Sequence, residues 1–186
     1  MFVIGQSDRA VIPLLIRKLG YQGAIHPVLI EQDEAYRPEA ILKHLDSLLQ
    51  RQPRVSKIII CVDSECTDVE ESRRQGTETE AKLREKGPRV PIRYVVVDHC
   101  LEGWLLHDQD AIRSVLGTHS GLSLPGNPEN ECRLADLMRK LFATHRSTKP
   151  FKKTKDDKKI AAKLDIQVLQ SSSPTFREFV AALRDP

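Results

Sequence analysis

The sequence is poor in features that mark several protein classes. Its 186 residues are only 5% aromatic, and no segment approaches the ~18 consecutive apolar residues that a membrane-spanning helix requires. The start, MFVIGQSDRA, lacks the basic region and the long apolar stretch of a signal peptide. We therefore expect a soluble cytoplasmic protein that makes no contact with membranes.

Cysteine is scarce, and its spacing argues against a structural zinc site. No two cysteines form a CxxC pair, which is the usual spacing of zinc ligands. Two of the four lie in or beside apolar runs, as buried free thiols often do. We expect reduced, partly buried thiols in a cytoplasmic protein. The four are Cys61, Cys66, Cys100 and Cys132.

Apolar runs and helical patterns alternate along the first part of the chain. The 40% hydrophobic content suits one compact domain, or a domain with a small extension. Strands are predicted at 1–4, 27–31, 55–62 and 90–97, with helices at 8–19, 38–51 and 67–86 between them. Ser7 and Thr67 are the expected N-caps of two of these helices. This alternation predicts an α/β fold, with a Rossmann-like parallel sheet of about four strands flanked by helices.

The remaining chain predicts helices alone. One helix is expected over 101–117, an amphipathic one over 129–144, a basic one over 155–163, and a last one capped by Ser173 with Pro174 at its first position. We therefore expect an α/β core at 1–117 and a helical extension at 118–186. The extension should pack on the core to give one compact unit.

Positive charge is concentrated in one segment of the extension. Residues 144–163 hold eight basic and two acidic side chains, a net +6, which leaves −3 for the rest of the chain. Such a segment indicates either phosphate and nucleic-acid binding or a solvated lysine-rich linker. The candidate nucleic-acid-binding residues are Lys149, Lys152, Lys153, Lys155, Lys158 and Lys159.

Acidic residues follow two predicted strands. Asp63 and Glu65 end the run KIIICVDSE, and Glu102 precedes the apolar run GWLLHD after the next strand. Ligands of parallel sheets bind beyond the carboxyl ends of the strands, and Mg²⁺ prefers carboxylate oxygens. Alternatively, these acids only favour the N-termini of the following helices. His99 is either a base or metal ligand, or a structural histidine at a strand end.

Four stretches together resemble a known family. They are VIGQSD (3–8), IICVDSE (59–65), LEGWLLHDQDAI (101–112) and the ending from Lys149 to Leu183. They are similar to a family of small uncharacterised prokaryotic Toprim-like proteins with an EAWLLAD-type signature. That family is related to the Toprim domains of topoisomerases, DnaG-type primases and OLD nucleases.

The resemblance implies a Toprim-type sheet whose carboxylates bind Mg²⁺, or Mn²⁺ in its place, for phosphodiester chemistry. Asp63 and Glu65 are then the metal ligands, with Asp63 and Glu102 as the catalytic acids. The first motif departs from the family because Ile4 stands where a glutamate is expected. The substitutes to examine are Glu31 and Glu102, while Asp8 matches the acidic end of the same motif.

Two functions are compatible with these features, besides a scaffold whose acids are only solvated. The first is a Mg²⁺-dependent nuclease that acts on DNA or RNA. The second is an inactive Toprim-like module that binds nucleic acid or a protein partner, for example in a defence or mobile-element system. Ile4 favours the second. The sequence gives no indication of the substrate or of the oligomeric state.

Overall fold

A four-stranded parallel sheet forms the centre of the molecule. The computed structural model describes residues 1–146 and 149–185. The strands stand in the order β2-β1-β3-β4, which confirms the α/β class and the parallel sheet flanked by helices. The strands are β1 (Phe2–Val3), β2 (Val28–Leu29), β3 (Ile58–Asp63) and β4 (Ile92–Val97).

Helices cover both faces of this sheet and make up the C-terminal extension. Short 3₁₀ turns occupy Gln32–Glu34 and Pro128–Asn130. The α-helices are α1 (Gln6–Lys18), α2 (Pro38–Arg51), α3 (Val69–Lys86), α4 (Glu102–Leu106), α5 (Gln109–Leu116), α6 (Leu134–His145), α7 (Lys153–Lys163), α8 (Ile166–Ser172) and α9 (Pro174–Arg184). None of these helices is both long enough and apolar enough to cross a membrane.

Strand β3 supplies both hydrophobic cores because successive side chains of a strand point to opposite faces. Ile58, Ile60 and Val62 pack into a core with residues of α2 and α3. Ile59 and Cys61 pack into a larger core with residues of α1 and of the helices that follow β4. This two-sided burial explains why the β3 run is apolar at consecutive positions.

Several helix boundaries differ from the sequence-based expectation. Gly5, not Ser7, is the N-cap of α1, and Asp68, not Thr67, caps α3 by accepting from the Glu70 and Glu71 amides. The single helix expected at 101–117 is interrupted after Leu106, where the Asp108 side chain accepts the Ala111 amide and starts α5. Helix α8 is an element that the sequence pattern does not predict. The hydroxyls of Ser7 and Thr67 are used elsewhere, since Ser7 donates to Asp157 and Thr67 donates to the Ser64 carbonyl.

The extension contributes directly to the larger core. Helix α7 packs against α1 and α5, and α9 packs against β4. Trp104 of α4 meets Phe176 of α9 edge to face at 5.1 Å and is fully buried. Because an aromatic side chain contributes about 2–3 kcal/mol when buried, these contacts fix the extension on the sheet. Ser173 and Pro174 begin α9 as predicted.

Candidate functional site

Four carboxylates from distant parts of the chain meet at the carboxyl edge of the sheet. Asp63 ends β3, Glu102 begins α4 just after β4, Asp8 lies in the first turn of α1 after β1, and Asp157 comes from α7. Asp8, Glu102 and Asp157 are almost fully buried, at 4%, 0% and 0% exposure. We refer to these four residues as the acid cluster.

Lys153 is the positive charge nearest to the acid cluster. Its Nζ lies 2.9 Å from Oε1 of Glu102. Burial alone would lower the pKa of Lys153, but Glu102, Asp63 and Asp8 outweigh burial and raise that pKa. Lys153 therefore remains an ammonium ion that compensates part of the negative charge of the cluster.

Asp157 links the extension to the start of α1. Its Oδ2 accepts a hydrogen bond from the Ser7 hydroxyl at 2.6 Å. Burial and the neighbouring charge of Glu102 raise the pKa of Asp157 to about 8, although the Ser7 hydrogen bond and Lys153 act in the opposite direction. Asp157 is therefore largely protonated at neutral pH as long as no further cation enters the site.

Asp8 supplies an acid near the position where Ile4 lacks one. Its Oδ2 accepts the Gly5 amide at 3.0 Å, which holds the carboxylate at the beginning of α1. Ile4 instead packs against the smaller core beside α2. Glu31, the other substitute considered, is exposed beside the turn at Gln32–Glu34. Of the two substitutes named from the sequence, Glu102 reaches the site, and so does Asp8 from the acidic end of the first motif.

Asp63 is the member of the acid cluster that retains contact with solvent. Desolvation raises its pKa well above the usual range, and the charges of Asp8 and Glu102 raise it further, while Lys153 lowers it. Glu65 is exposed two residues later and lies on the same edge, since Asp63 and Glu65 both raise the pKa of Tyr36. Asp63 and Glu65 thus share the edge, but only Asp63 is enclosed with the other carboxylates.

The turns after β3 and β4 each contain a residue with an unusual backbone conformation, and hydrogen bonds join the two turns. Glu65 and His99 have positive φ angles of 51° and 59°, which non-glycine residues rarely adopt. The His99 Nδ1–H donates to the Glu65 carbonyl at 2.7 Å, and its backbone amide donates to the Ser64 hydroxyl at 2.8 Å. Strained residues of this kind concentrate at functional sites, and these two flank Asp63 and Glu102. His99 thus joins the two turns through its ring and its backbone amide.

A disulfide bond lies beside this edge and corrects the expectation of four free thiols. Cys66, in the turn after β3, is joined to Cys132, with 5.2 Å between their Cα atoms. The prediction is wrong for this pair because the two residues are 66 positions apart and only the fold brings them together. Cys61 and Cys100 are free, the first buried and the second partly buried.

Buried oxygens of the acid cluster lack hydrogen-bond partners, and carboxylate oxygens are the ligand type that Mg²⁺ prefers. Glu102 Oε2 and Asp157 Oδ1 are buried without a hydrogen-bond partner, and Glu102 Oε1 has only the Lys153 ammonium. Mg²⁺ needs only one or two protein carboxylates besides water and phosphate oxygens. Within residues 1–146 and 149–185, no three His, Cys, Asp or Glu side chains already stand in a metal-ligating arrangement. A cation would thus be held by few protein ligands.

Residues 153–163 of the basic segment form helix α7, which lies next to the acid cluster. Its buried residues Ile160 and Ala161 anchor α7 in the larger core. Lys149, Lys152, Lys155 and Lys158 are exposed, whereas Lys153 turns to Glu102. Lys159 pairs with Asp156 at 2.6 Å. Lys153 and Lys159 thus differ from the other predicted lysines because their ammonium groups pair with buried carboxylates, although their side chains remain 47% and 43% exposed.

The sequence pattern does not reveal three parts of the site. These are Asp157, Ser7 and the contact of Lys153 with Glu102. In the sequence, Asp157 is only a charge that offsets the lysines, and Ser7 is only a candidate helix cap. The available signal is the spacing of Lys153 and Asp157, because residues four apart share one face of a helix. Nothing in the sequence indicates that this face turns toward β3.

This arrangement defines an α/β protein with a buried acid cluster at the carboxyl edge of its sheet. A family model described as "Domain of unknown function (DUF4276)" matches residues 5–184. The chain therefore belongs to the DUF4276 family. No curated protein and no solved structure gives a significant match to the chain.

Proposed function

We propose that the protein is a Mg²⁺-dependent phosphoryl-transfer enzyme that acts on nucleic acid in the cytoplasm, as a Toprim-like nuclease. The supporting observation is the convergence of Asp8, Asp63, Glu102 and Asp157 beside an ordered basic helix. A bound Mg²⁺ would stabilise negative charge on the phosphate and lower the pKa of a bound water.

The residues of the chain have distinct roles in this proposal. Asp63, which solvent reaches, and Glu102, which has an unpartnered oxygen, would hold the cation. Asp157 would ionise when the cation binds and would add negative charge to its surroundings, and Lys153 would offer a positive charge to a phosphate once it leaves Glu102. Lys152, Lys155 and Lys158 would contact the nucleic-acid backbone.

Replacement of Asp63 tests the proposal directly. Asp63→Asn should reduce Mg²⁺-dependent cleavage by at least ~100-fold while leaving the fold intact, because an amide is a poor ligand for Mg²⁺. Cleavage of single- and double-stranded DNA and RNA should be followed with Mg²⁺ and with Mn²⁺. Asp110→Asn, at a carboxylate that is 89% exposed, is the matched control. Equal cleavage by Asp63→Asn and wild type would refute the assignment.

One contact favours the inactive binding module as a second candidate. The Lys153–Glu102 ion pair already places a cation at the acid cluster. In that case the protein would bind nucleic acid equally well with EDTA and with Mg²⁺, and would cut none of the substrates. Mg²⁺-dependent cleavage that Asp63→Asn abolishes would exclude this alternative.

A further inference from the structure

A cavity of about 450 Å³ lies at the opposite edge of the sheet from the acid cluster. Residues that precede the strands line it, namely Met1 before β1, Ala24 to His26 before β2, and Val55 to Lys57 before β3. Ile59 lines the cavity and lies four residues before Asp63 on β3, so at ~3.3 Å per residue about 13 Å of strand separates the cavity from Asp63. The two sites are therefore distinct.

The floor of the cavity is apolar and its mouth carries an exposed aromatic ring. Ile16, Leu48 and Ile59 line it and are buried at 3%, 3% and 4% exposure. Tyr21 is 44% exposed, and its ring packs so closely on Gly23 that an added Cβ there would lie 2.5 Å from the phenol oxygen. The volume falls within the range of small-molecule sites, ~300–1,000 Å³, and these are mostly apolar with a few polar groups.

All the charged side chains that line the cavity are basic. Arg54 and Lys57 lie on its wall together with His26, and no carboxylate of the described residues lines it. Lys57 is partly buried, and its Nζ donates to the carbonyls of Ala182 and Leu183 at 3.3 and 3.0 Å. An ammonium group has three donors, so one remains for a ligand. Partial burial of a positive charge is unfavourable unless an anion compensates it.

We propose that this cavity binds a small amphiphilic anion. Its apolar body would cover Ile16, Leu48 and Ile59, and its carboxylate or phosphate group would lie between Arg54 and Lys57. The apolar floor provides the area-dependent part of the affinity, and the basic wall selects the sign of the charge.

Ligands that share one alkyl chain length and differ in head group test both the apolar part and the basic part of the proposed site. Octanoate, octyl phosphate, octan-1-ol and octylammonium should be titrated into the full chain by calorimetry at constant ionic strength. We expect octanoate or octyl phosphate to bind at least ~10-fold more tightly than octan-1-ol, and octylammonium to bind more weakly than octan-1-ol. The preferred anion distinguishes a carboxylate ligand from a phosphate ligand.

Charge-reversal variants locate the site. Arg54→Glu should weaken binding of the preferred anion at least ~10-fold. Lys57→Met should also weaken binding, because it removes a positive charge without adding a negative charge that repels the anion. Arg89→Glu makes the same charge change at an exposed residue outside the cavity and should bind as wild type does. Amide chemical-shift changes on binding should centre on residues 21–26 and 54–59.

Three results would overturn the proposal. The first is equal affinity for octanoate, octyl phosphate and octan-1-ol, and the second is no binding of any anion. The third is an equal loss of anion affinity in Arg54→Glu and in Arg89→Glu. Thermal unfolding of each variant separates loss of the site from loss of the fold. Because Arg54 is exposed, its replacement should leave the melting temperature nearly unchanged.

Discussion

Asp157 shows how the environment of one residue changes its chemistry. An ordinary aspartate is ionised at neutral pH, but this one is fully buried beside two other buried carboxylates, Glu102 and Asp8. Only the Ser7 hydroxyl and the Lys153 ammonium favour its charged form. Because like charges in a shared site cannot all ionise at low cost, Asp157 keeps its proton to about pH 8. A bound divalent cation would remove that restriction.

The free energy of unfolding should therefore fall as pH rises from about 4 to 8. In this range the unfolded chain has lost the Asp157 proton while the folded protein retains it, so rising pH favours unfolding. Asp157→Asn keeps an acceptor for Ser7 and should reduce this fall by about 1–3 kcal/mol. Urea unfolding at pH 5 and pH 8 measures the difference.

Two comparisons make the Asp157 experiment decisive. Asp110→Asn, at an exposed carboxylate, should leave the pH dependence unchanged. Mg²⁺ should flatten the dependence in wild type, because a cation favours the ionised carboxylates. An unchanged pH dependence in Asp157→Asn would show that Asp157 ionises normally in the folded protein.

Helix α7 is the element that turns an acidic strand end into an enclosed site. Lys153 and Asp157 are four residues apart on it and both point to the acid cluster, while Ile160 and Ala161 anchor the helix in the core. The sequence predicts α7 well because the basic, amphipathic pattern is local. It does not predict which polar residues face inward, since that depends on the packing of α7 against α1.

The turn after β3 is the second element on which the site depends. The Cys66–Cys132 disulfide ties it to the segment before α6. Loss of the disulfide in Cys66→Ser with Cys132→Ser should lower the free energy of unfolding by up to about 4 kcal/mol, because a long loop of the unfolded chain is no longer constrained. Urea unfolding with and without dithiothreitol measures this loss.

The double-serine variant also controls for the reductant. Dithiothreitol should destabilise wild type to the level of this variant and should not affect the variant itself. If the reductant shifts both proteins equally, or neither, then the disulfide does not contribute to stability. The proposed nuclease activity would have to survive reduction for the protein to act in a reducing cytoplasm.

At the scale of the whole molecule, charge is divided between a basic segment and an otherwise acidic chain. Residues 144–163 carry +6 and the rest −3. Helix α7 reaches the acid cluster through Lys153, and the exposed residues Lys155 and Lys158 belong to the same helix. The positive electrostatic potential of this segment would attract a polyanion toward the acid cluster even though the cluster itself is negative.

Nucleic-acid affinity should accordingly fall steeply with salt and depend on the exposed lysines. The triple variant Lys152→Glu, Lys155→Glu, Lys158→Glu should bind at least ~10-fold more weakly. It should also reduce the slope of log K against log salt by about 0.9 for each duplex phosphate that the protein no longer neutralises. Fluorescence anisotropy between about 50 and 200 mM salt measures both the affinity and the slope.

A second triple variant provides the matched control. Lys82→Glu, Lys86→Glu and Arg89→Glu make the same change in net charge at exposed residues at and beyond the C-terminal end of α3. It should retain most of the affinity and the slope. Equal losses of nucleic-acid affinity in both triple variants would show that net charge, not the surface of α7, determines binding.

The sequence by itself determined the α/β class, the parallel sheet and the apolar run that ends at Asp63, because these follow from local periodicity and from the short reach of strand–helix connections. It also placed Glu102 and the start of α9. Only the tertiary structure decided that Asp8 and Asp157 join Asp63, that Lys153 pairs with Glu102, and that Cys66 meets Cys132. The physical reason is that burial and charge pairing depend on residues up to about 150 positions apart, as the Ser7–Asp157 hydrogen bond shows.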